Sequence, residues 1–235
     1  MSTPTGLRAR KKERTRRLIR DTAVRLFMKR GFDQVTVAEI AREAEVSEAT
    51  VFNYFPTKED LIYGEMEAFE QQLLEAVRSR PSGQSALAAY AGFIFSIRGL
   101  LTEQQGPEQI AAWARLVTAS PALVGRENEI FSRHTTALAK LLAEETRARP
   151  DDLTPWVAAH ALIGLHRSLL DYVRRQALAG RTNPSLARLL RKQGEQAVGQ
   201  LERGFGGYAI KNTQRRPVTA PEGQAGKRRS CRGGR

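Results

Sequence analysis

Three helix-capping residues, Thr36, Ser47 and Thr57, stand close together in the sequence, and that spacing constrains the fold more than any other feature. Thr36 precedes Val37-Ala38-Glu39. A threonine cap with a glutamate three residues later satisfies two orphan backbone donors and is worth about 1 kcal/mol. The helix it opens buries Val37, Ile40, Ala41 and Ala44, and is only about two turns long. Ser47 caps a second short helix, from Glu48 to about Tyr54. Pro56 stops that helix. Thr57, with Asp60 at the third helical position, opens the next. Two short helices joined by a tight turn and wedged between longer ones are a helix-turn-helix pattern.

The second short helix carries the segment TVFNYF, residues 50–55, with much apolar surface for a chain this charged. Val51 and Phe55 lie four apart and can face a core. Thr50, Asn53 and Tyr54 fall on the other side, where neutral donors and acceptors suit phosphates and base edges. A helix that enters a groove about 12 Å wide must be short and held from behind. Lys58 sits in the first turn of the following helix, where a cation opposes the helix dipole. Its presence suggests a task such as phosphate contact. The alternative is a plain amphipathic hairpin with a solvated face.

The remainder reads as helix almost throughout, so the fold class is all-α. Alternation of the strand type is absent, and Ala, Leu, Arg and Glu dominate. Leu18, Ile19, Thr22, Ala23, Leu26 and Phe27 form one face of a first helix, stopped by Gly31. From Thr57 to Arg80, Ile62, Met66, Phe69, Leu73 and Val77 mark a single long amphipathic helix. Further helices follow at about Ser85–Leu101, after Gly106-Pro107, after Ser120-Pro121, after Thr154-Pro155 and after Asn183-Pro184, each proline suiting a first helical position.

Charge is uneven. The chain has 38 Lys+Arg and 25 Asp+Glu, a formal +13. Residues 1–30 hold 11 basic and 2 acidic side chains, +9, and residues 211–235 hold 8 and 1, +7, so the body between them is near −3. Two cationic ends on a mildly acidic body suit a polyanion. The single cysteine, Cys231, excludes an intrachain disulfide and favours a reducing compartment. No apolar run resembles a signal peptide or reaches the ~18 residues of a membrane span. The expectation is a soluble cytoplasmic protein without a membrane partner.

The stretch TVAEIAREAEVSEATVFNYFPTKEDL resembles the signature of the TetR family of bacterial transcriptional regulators, including Thr36, Ile40, Ala41, Ala44, Val46, Ser47, Thr50, Tyr54, Phe55, Lys58 and Leu61. The resemblance covers about residues 14–74. It implies a homodimer, a three-helix DNA-binding domain and a divergent helical domain for a small-molecule effector. It places Thr36, Thr50, Tyr54 and Lys58 near the backbone of a double-stranded operator and Asn53 near bases, and Ser47 is grouped with them. Many members have Tyr where this chain has Phe52, so a hydroxyl contact there is missing. The expected domains are a basic disordered arm at 1–13, the DNA-binding domain at 14–74, a ligand-binding and dimerisation domain at 75–208, and a basic disordered tail at 209–235. In the arm, Arg10, Lys11 and Lys12 are expected to track phosphates or the adjacent minor groove.

The body carries the apolar inventory of a pocket. Phe93, Trp113, Leu116, Phe131, His134 and Arg167 are the candidate ligand-binding residues. The segment 118–153, with HALIGLHRSLLDYV after it, resembles a TetR-type subgroup that binds acyl-CoA-like molecules. Arg98, Arg115, Arg133 and Arg167 are available for its phosphates. His134, His160 and His166 have no recognised ligand spacing, so no metal and no cofactor are expected. No nucleophile–base pair stands out, so the chain is not read as an enzyme. Small residues in WVAAHALIGLHRSLL and the leucine stripe of the last helix suggest a four-helix dimer seam. The resulting reading is a ligand-responsive homodimeric repressor, with the helix from Thr57 to Arg80 as the lever between effector and DNA. A ligand-independent or architectural DNA-binding protein, and an acyl-thioester enzyme, are the alternatives.

Overall fold

The computed structural model describes residues 6–96, 107–181 and 185–211. Within them the first helix, α1 (Leu7–Arg30), ends at Gly31, whose φ of 87° only glycine adopts without strain. Helix α1 starts earlier than the sequence reading allowed. Residues 7–13, expected as part of a disordered arm, are its first two turns. Arg, Lys, Glu and Ala are strong helix formers, and no Gly or Pro interrupts 7–30. Intrinsic propensity thus prevails over the cost of crowding cations at a helix N-terminus.

Helices α2 (Val37–Glu43) and α3 (Glu48–Tyr54) form the expected pair. The Thr36–Glu39 capping box is closed in both directions, and the Ser47 hydroxyl accepts from the Thr50 amide at 3.1 Å. Between them, Glu45 takes the left-handed conformation, φ 55°, and the Val46 amide returns to the Ala41 carbonyl at 2.9 Å. That tight turn sets the angle between the helices.

The long lever is not one helix. It is α4 (Asp60–Tyr63) and α5 (Met66–Arg78), separated at Gly64–Glu65. Thr57 and Asp60 cap α4 reciprocally, as its spacing predicts. Its C-cap, Gly64, has no room for a side chain, because a Cβ there would approach the Asp60 carbonyl to 2.5 Å and the Arg16 guanidinium to 3.1 Å. Apolar periodicity runs through both helices and conceals the break.

The body comprises α6 (Ala86–Ser96), α7 (Pro107–Ala119), α8 (Pro121–Thr146), α9 (Thr154–Leu178) and α10 (Ser185–Phe205). The expected extension of α6 to Leu101, with Arg98, and the Asn183-Pro184 signal lie outside the described residues. Helix α9 is central, packed on α7, α8 and α10. Its Ala158, Leu162, Leu165 and Leu169 are buried within the protomer.

Two apolar cores result. One holds Ile19, Phe27, Ile40, Val51, Phe55 and Leu61 from α1–α4, and also takes Leu116 of α7 and Leu123 of α8. The other joins α5, α6, α8, α9 and α10 around Tyr90, Ile94, Leu138 and Leu162. Polar contacts reinforce the seam between them. The Ser120 hydroxyl donates to Asp33 Oδ1 at 2.8 Å, Arg126 to Asp60 Oδ1 at 3.0 Å, and Tyr63 to the Leu123 carbonyl at 3.3 Å.

The body also extends past its expected end at 208. The Gly83 amide donates to the Lys211 carbonyl at 2.8 Å, and the Lys211 amide to Gln84 at 3.1 Å. Buried Arg80 donates to the Ala209 carbonyl at 2.7 Å and pairs with Glu145 at 2.6 Å. Residues 209–211 are therefore a strap on the body, held by backbone pairing that composition does not reveal. The expected tail from 212 lies outside the described residues.

Candidate nucleic-acid interface and internal cavity

Helix α3 turns Val51 and its C-cap Phe55 inward, as their spacing requires. Its outward face carries Ala49, Phe52 and Asn53. The Ser47 and Thr50 hydroxyls lie 2.8 Å apart at its N-terminus, where backbone donors and the helix dipole favour an anion. Thr36 is exposed at the start of α2, although its hydroxyl already serves the capping box. Glu39 of that box is held down to about 2 by the Thr36 backbone donor and by Arg30. Tyr54 is half-buried against the domain core rather than fully outward.

Lys58 makes a contact that its place in the sequence does not reveal. Its Nζ lies 4.3 Å from the centroid of Phe32 and 5.8 Å from that of Phe27, over both rings. Partial burial lowers its pKa, opposed by the nearby Asp33 carboxylate. It is folded back on the domain as a cation–π partner of these rings. The helix start at Thr57 directs it there, and no sequence pattern reports that direction.

Arg10, Lys11 and Lys12 are all exposed on α1. On a helix, three consecutive side chains fan through about 200°. A single DNA surface therefore cannot meet all three together, whereas Arg10, Arg14 and Arg17 share a face.

Behind this surface, Arg16 joins two helix ends. One guanidinium nitrogen donates to the Tyr54 carbonyl at 2.9 Å and the other to Gly64 at 3.1 Å, with the group 4.5 Å over the Phe55 ring. Both carbonyls belong to the last turns of short helices, which lack intrahelical donors. Sequence reasoning counted Arg16 only as part of the basic run.

A cavity of about 540 Å³ opens between α4–α5, α6, α8 and α9. Met66, Phe69, Ile94, Ile130, Phe131 and Leu170 supply most of its wall, with Tyr63, Glu65, Gln72, Glu127, His134 and His166 as polar members. The two imidazoles stack on Phe69 at centroid distances of 5.8 and 5.4 Å. Burial lowers the pKa of both, and His166 is brought down to about 4. Both are thus uncharged at neutral pH. His134 Nε2 lies 3.4 Å from Glu70, and His166 Nδ1 is buried without a hydrogen-bond partner. The cations nearby are already engaged: Arg133 with Glu70, Arg174 with Glu127, and Arg126 with Asp60 and Glu129.

Of the sequence-predicted pocket residues, Phe131 and His134 line this cavity. Phe93 packs behind it on Phe69 at 5.6 Å. Trp113 is 36% exposed and is not in the wall. Leu116 belongs to the DNA-side core and to a smaller cleft of about 320 Å³ with Phe27, Phe32 and Arg115. Arg167 lies outside the wall, 5.7 Å from the Phe131 ring, and donates to Asn128 at 2.6 Å. The missed wall residues Tyr63, Met66 and Phe69 sit on α4 and α5, which the sequence reading treated only as a lever. His166 had a signal, a polar ring within an apolar helix. Among the described residues no three His, Cys, Asp or Glu side chains form a metal-binding group, and no helix is long and apolar enough to cross a membrane.

A capped two-helix unit, with an outward helix face, cationic surroundings and a separate helical body, defines a helix-turn-helix transcriptional regulator that binds DNA. Comparison with known proteins agrees. Residues 19–63 match the family described as bacterial regulatory proteins, tetR family, and residues 101–205 match the MftR C-terminal domain. The transcriptional regulator TcmR of Streptomyces glaucescens is 33% identical over 158 residues, covering 64% of this chain and 70% of that protein. The Mycobacterium tuberculosis protein named for regulation of mycofactocin biosynthesis, MftR, is 25% identical over 166 residues, 69% of this chain and 81% of its own. In fold, NalD, the secondary repressor of a Pseudomonas aeruginosa multidrug efflux pump, superposes with a TM-score of 0.52 at 24% identity, over 83% of this chain and 97% of that one. The chain belongs to the TetR family. It is a regulator, not an enzyme.

Proposed function

We propose that this protein is a cytoplasmic homodimeric repressor that leaves its operator when a small, mostly apolar molecule fills the cavity. One observation carries the reading. Tyr63, Glu65 and Met66 of the cavity wall flank Gly64, and Arg16 bonds the carbonyls of both Gly64 and Tyr54. A guest that displaces the α4–α5 joint acts on a group attached to the end of α3. Helix α8 offers a parallel connection, because Arg126 holds Asp60 while the next residue, Glu127, lines the cavity. Taking operator occupancy from 99:1 to 1:99 requires about 10⁴-fold preference of the guest for the released state.

The wall favours a guest with little charge. Its carboxylates, its neutral imidazoles and the pairing of nearby arginines all oppose a buried anion. An acyl chain suits that wall. The phosphates of an acyl-CoA would have to remain outside, where Arg167 contacts neutral Asn128 and the face of Phe131. The dimer seam is proposed on the outer strip of α9 and α10, where Leu178 and Leu189 remain 47% and 41% exposed. The DNA-binding unit is proposed to end within α5 and the effector domain to run from there through the strap.

The test selects a bound duplex from a random DNA pool with the full chain. Release from that duplex is then titrated with a fatty alcohol, the matching fatty acid and its CoA thioester, across chain lengths. Release at lower concentration by the uncharged members supports the reading. Binding insensitive to every member favours a constitutive DNA-binding protein.

A further inference from the structure

Phe52 is 47% exposed in the middle of α3, and it belongs to neither apolar core and to no ring pair among the described residues. Position 52 follows buried Val51 by about 100° around the helix, so a large apolar side chain there is held on the outward face. Burying it would have gained about 1.5–3 kcal/mol. Instead it stands beside Ala49 and Asn53 on the outward face of the helix that, in a helix-turn-helix protein, enters the major groove. Phenylalanine has no donor or acceptor, so it cannot bond a phosphate oxygen or a base-edge polar atom. The apolar group that a major groove offers is the C5-methyl of thymine.

We infer that Phe52 is a specificity-determining residue that reads a thymine methyl in the operator, beside base-edge contact from Asn53. Ala49, one turn earlier on the same face, leaves room for the ring and adds a methyl of its own. Asn53, the next residue, has the donor and acceptor pair that suits adenine. The strip therefore favours adjacent A·T and T·A steps.

The decisive substitution lies in the DNA. In the duplex selected by the full chain, each thymine is replaced singly by uracil, which removes only the methyl. Wild-type protein is expected to lose about fourfold in affinity at one or two positions per half-site, the effect of one buried methyl group. Phe52→Ala is expected to bind thymine and uracil equally at those positions, and Phe52→Leu to keep part of the discrimination. Thermal unfolding of both variants should match wild type, because the ring is not in the core. Equal binding of all uracil duplexes by wild type overturns the inference. So does a Phe52→Ala protein that retains the thymine preference, or one that loses affinity uniformly, which would make the ring a backbone contact or a wedge.

Discussion

Arg16 donates to the carbonyl of Tyr54 at 2.9 Å, across 38 residues of sequence, and with its other nitrogen holds Gly64. A charged donor at two helix C-termini is favourable twice, since each end presents unpaired carbonyls and negative dipole. Lysine can serve one carbonyl but not both in the fixed geometry of a guanidinium. Arg16→Met is expected to cost roughly 1–3 kcal/mol of stability and to weaken operator binding at least tenfold. Arg16→Lys should recover stability more than binding. Denaturant melts and titrations on the selected duplex, compared for the two variants, check this. Equal recovery of both properties would mean that Arg16 only stabilises the domain.

Asn53 and Lys58 separate base reading from charge. Asn53→Ala is expected to lose roughly 1–3 kcal/mol of discrimination at particular base pairs. Lys58→Met should leave the slope of log affinity against log salt unchanged, because its Nζ is turned onto Phe32. A phosphate-contacting lysine would reduce that slope by about 0.9. Salt titrations on one duplex decide the point.

The two cationic ends should not contribute alike. Replacing Arg10, Arg14 and Arg17 by glutamine is expected to flatten the salt slope by about two to three units, since they share one face of α1. Removing 212–235 should flatten it by less than one unit. Lys211 lies beside Glu145, near the end of α8 remote from the Ser120–Arg126 seam. At 1.5 Å per residue, that separation is about 30 Å. Equal slopes for both variants would contradict the geometry.

Acid should loosen the cavity. His166 has a folded pKa of about 4, from burial first and neighbouring His134 second, against about 6.5 when unfolded. The unfolded chain binds more protons between those values. The contribution to stability is therefore complete above pH 6.5 and is lost as pH falls towards 4, to the extent of roughly 3 kcal/mol. His166→Phe is expected to flatten the fall of Tm between pH 7 and 4.5, leaving only the smaller contribution of His134, whose pKa burial also lowers. An unchanged pH profile in that variant would show that His166 is hydrated and not buried.

Much of the DNA-binding unit was legible because its signals are local. Thr36, Ser47 and Thr57 act on amides three residues away, and Val51 and Phe55 differ by one helical turn. The signals that failed depend on distant partners. The lever breaks at Gly64–Glu65, where Arg16 and the Asp60 carbonyl leave no room for a side chain on Gly64. Leu116 and Trp113 have pocket-like chemistry but sit on α7 facing the DNA-side core and solvent. Lys58 points inward because Phe32 waits there. The cavity wall on α4 and α5 follows from how two helices pack onto α8 and α9, which periodicity along one helix cannot specify.

The strap has a consequence for synthesis. Arg80 is buried and takes Ala209, 129 residues later, as one of its acceptors, while Gly83 and Gln84 pair with Lys211. On the ribosome the helix-turn-helix segment emerges early, yet the loop after α5 stays unfinished until residue 211 has been made. A message truncated shortly before codon 209 would leave a buried cation short of an acceptor and two loop groups unpaired. Its product would be a substrate for proteolysis, not a regulator lacking only its tail.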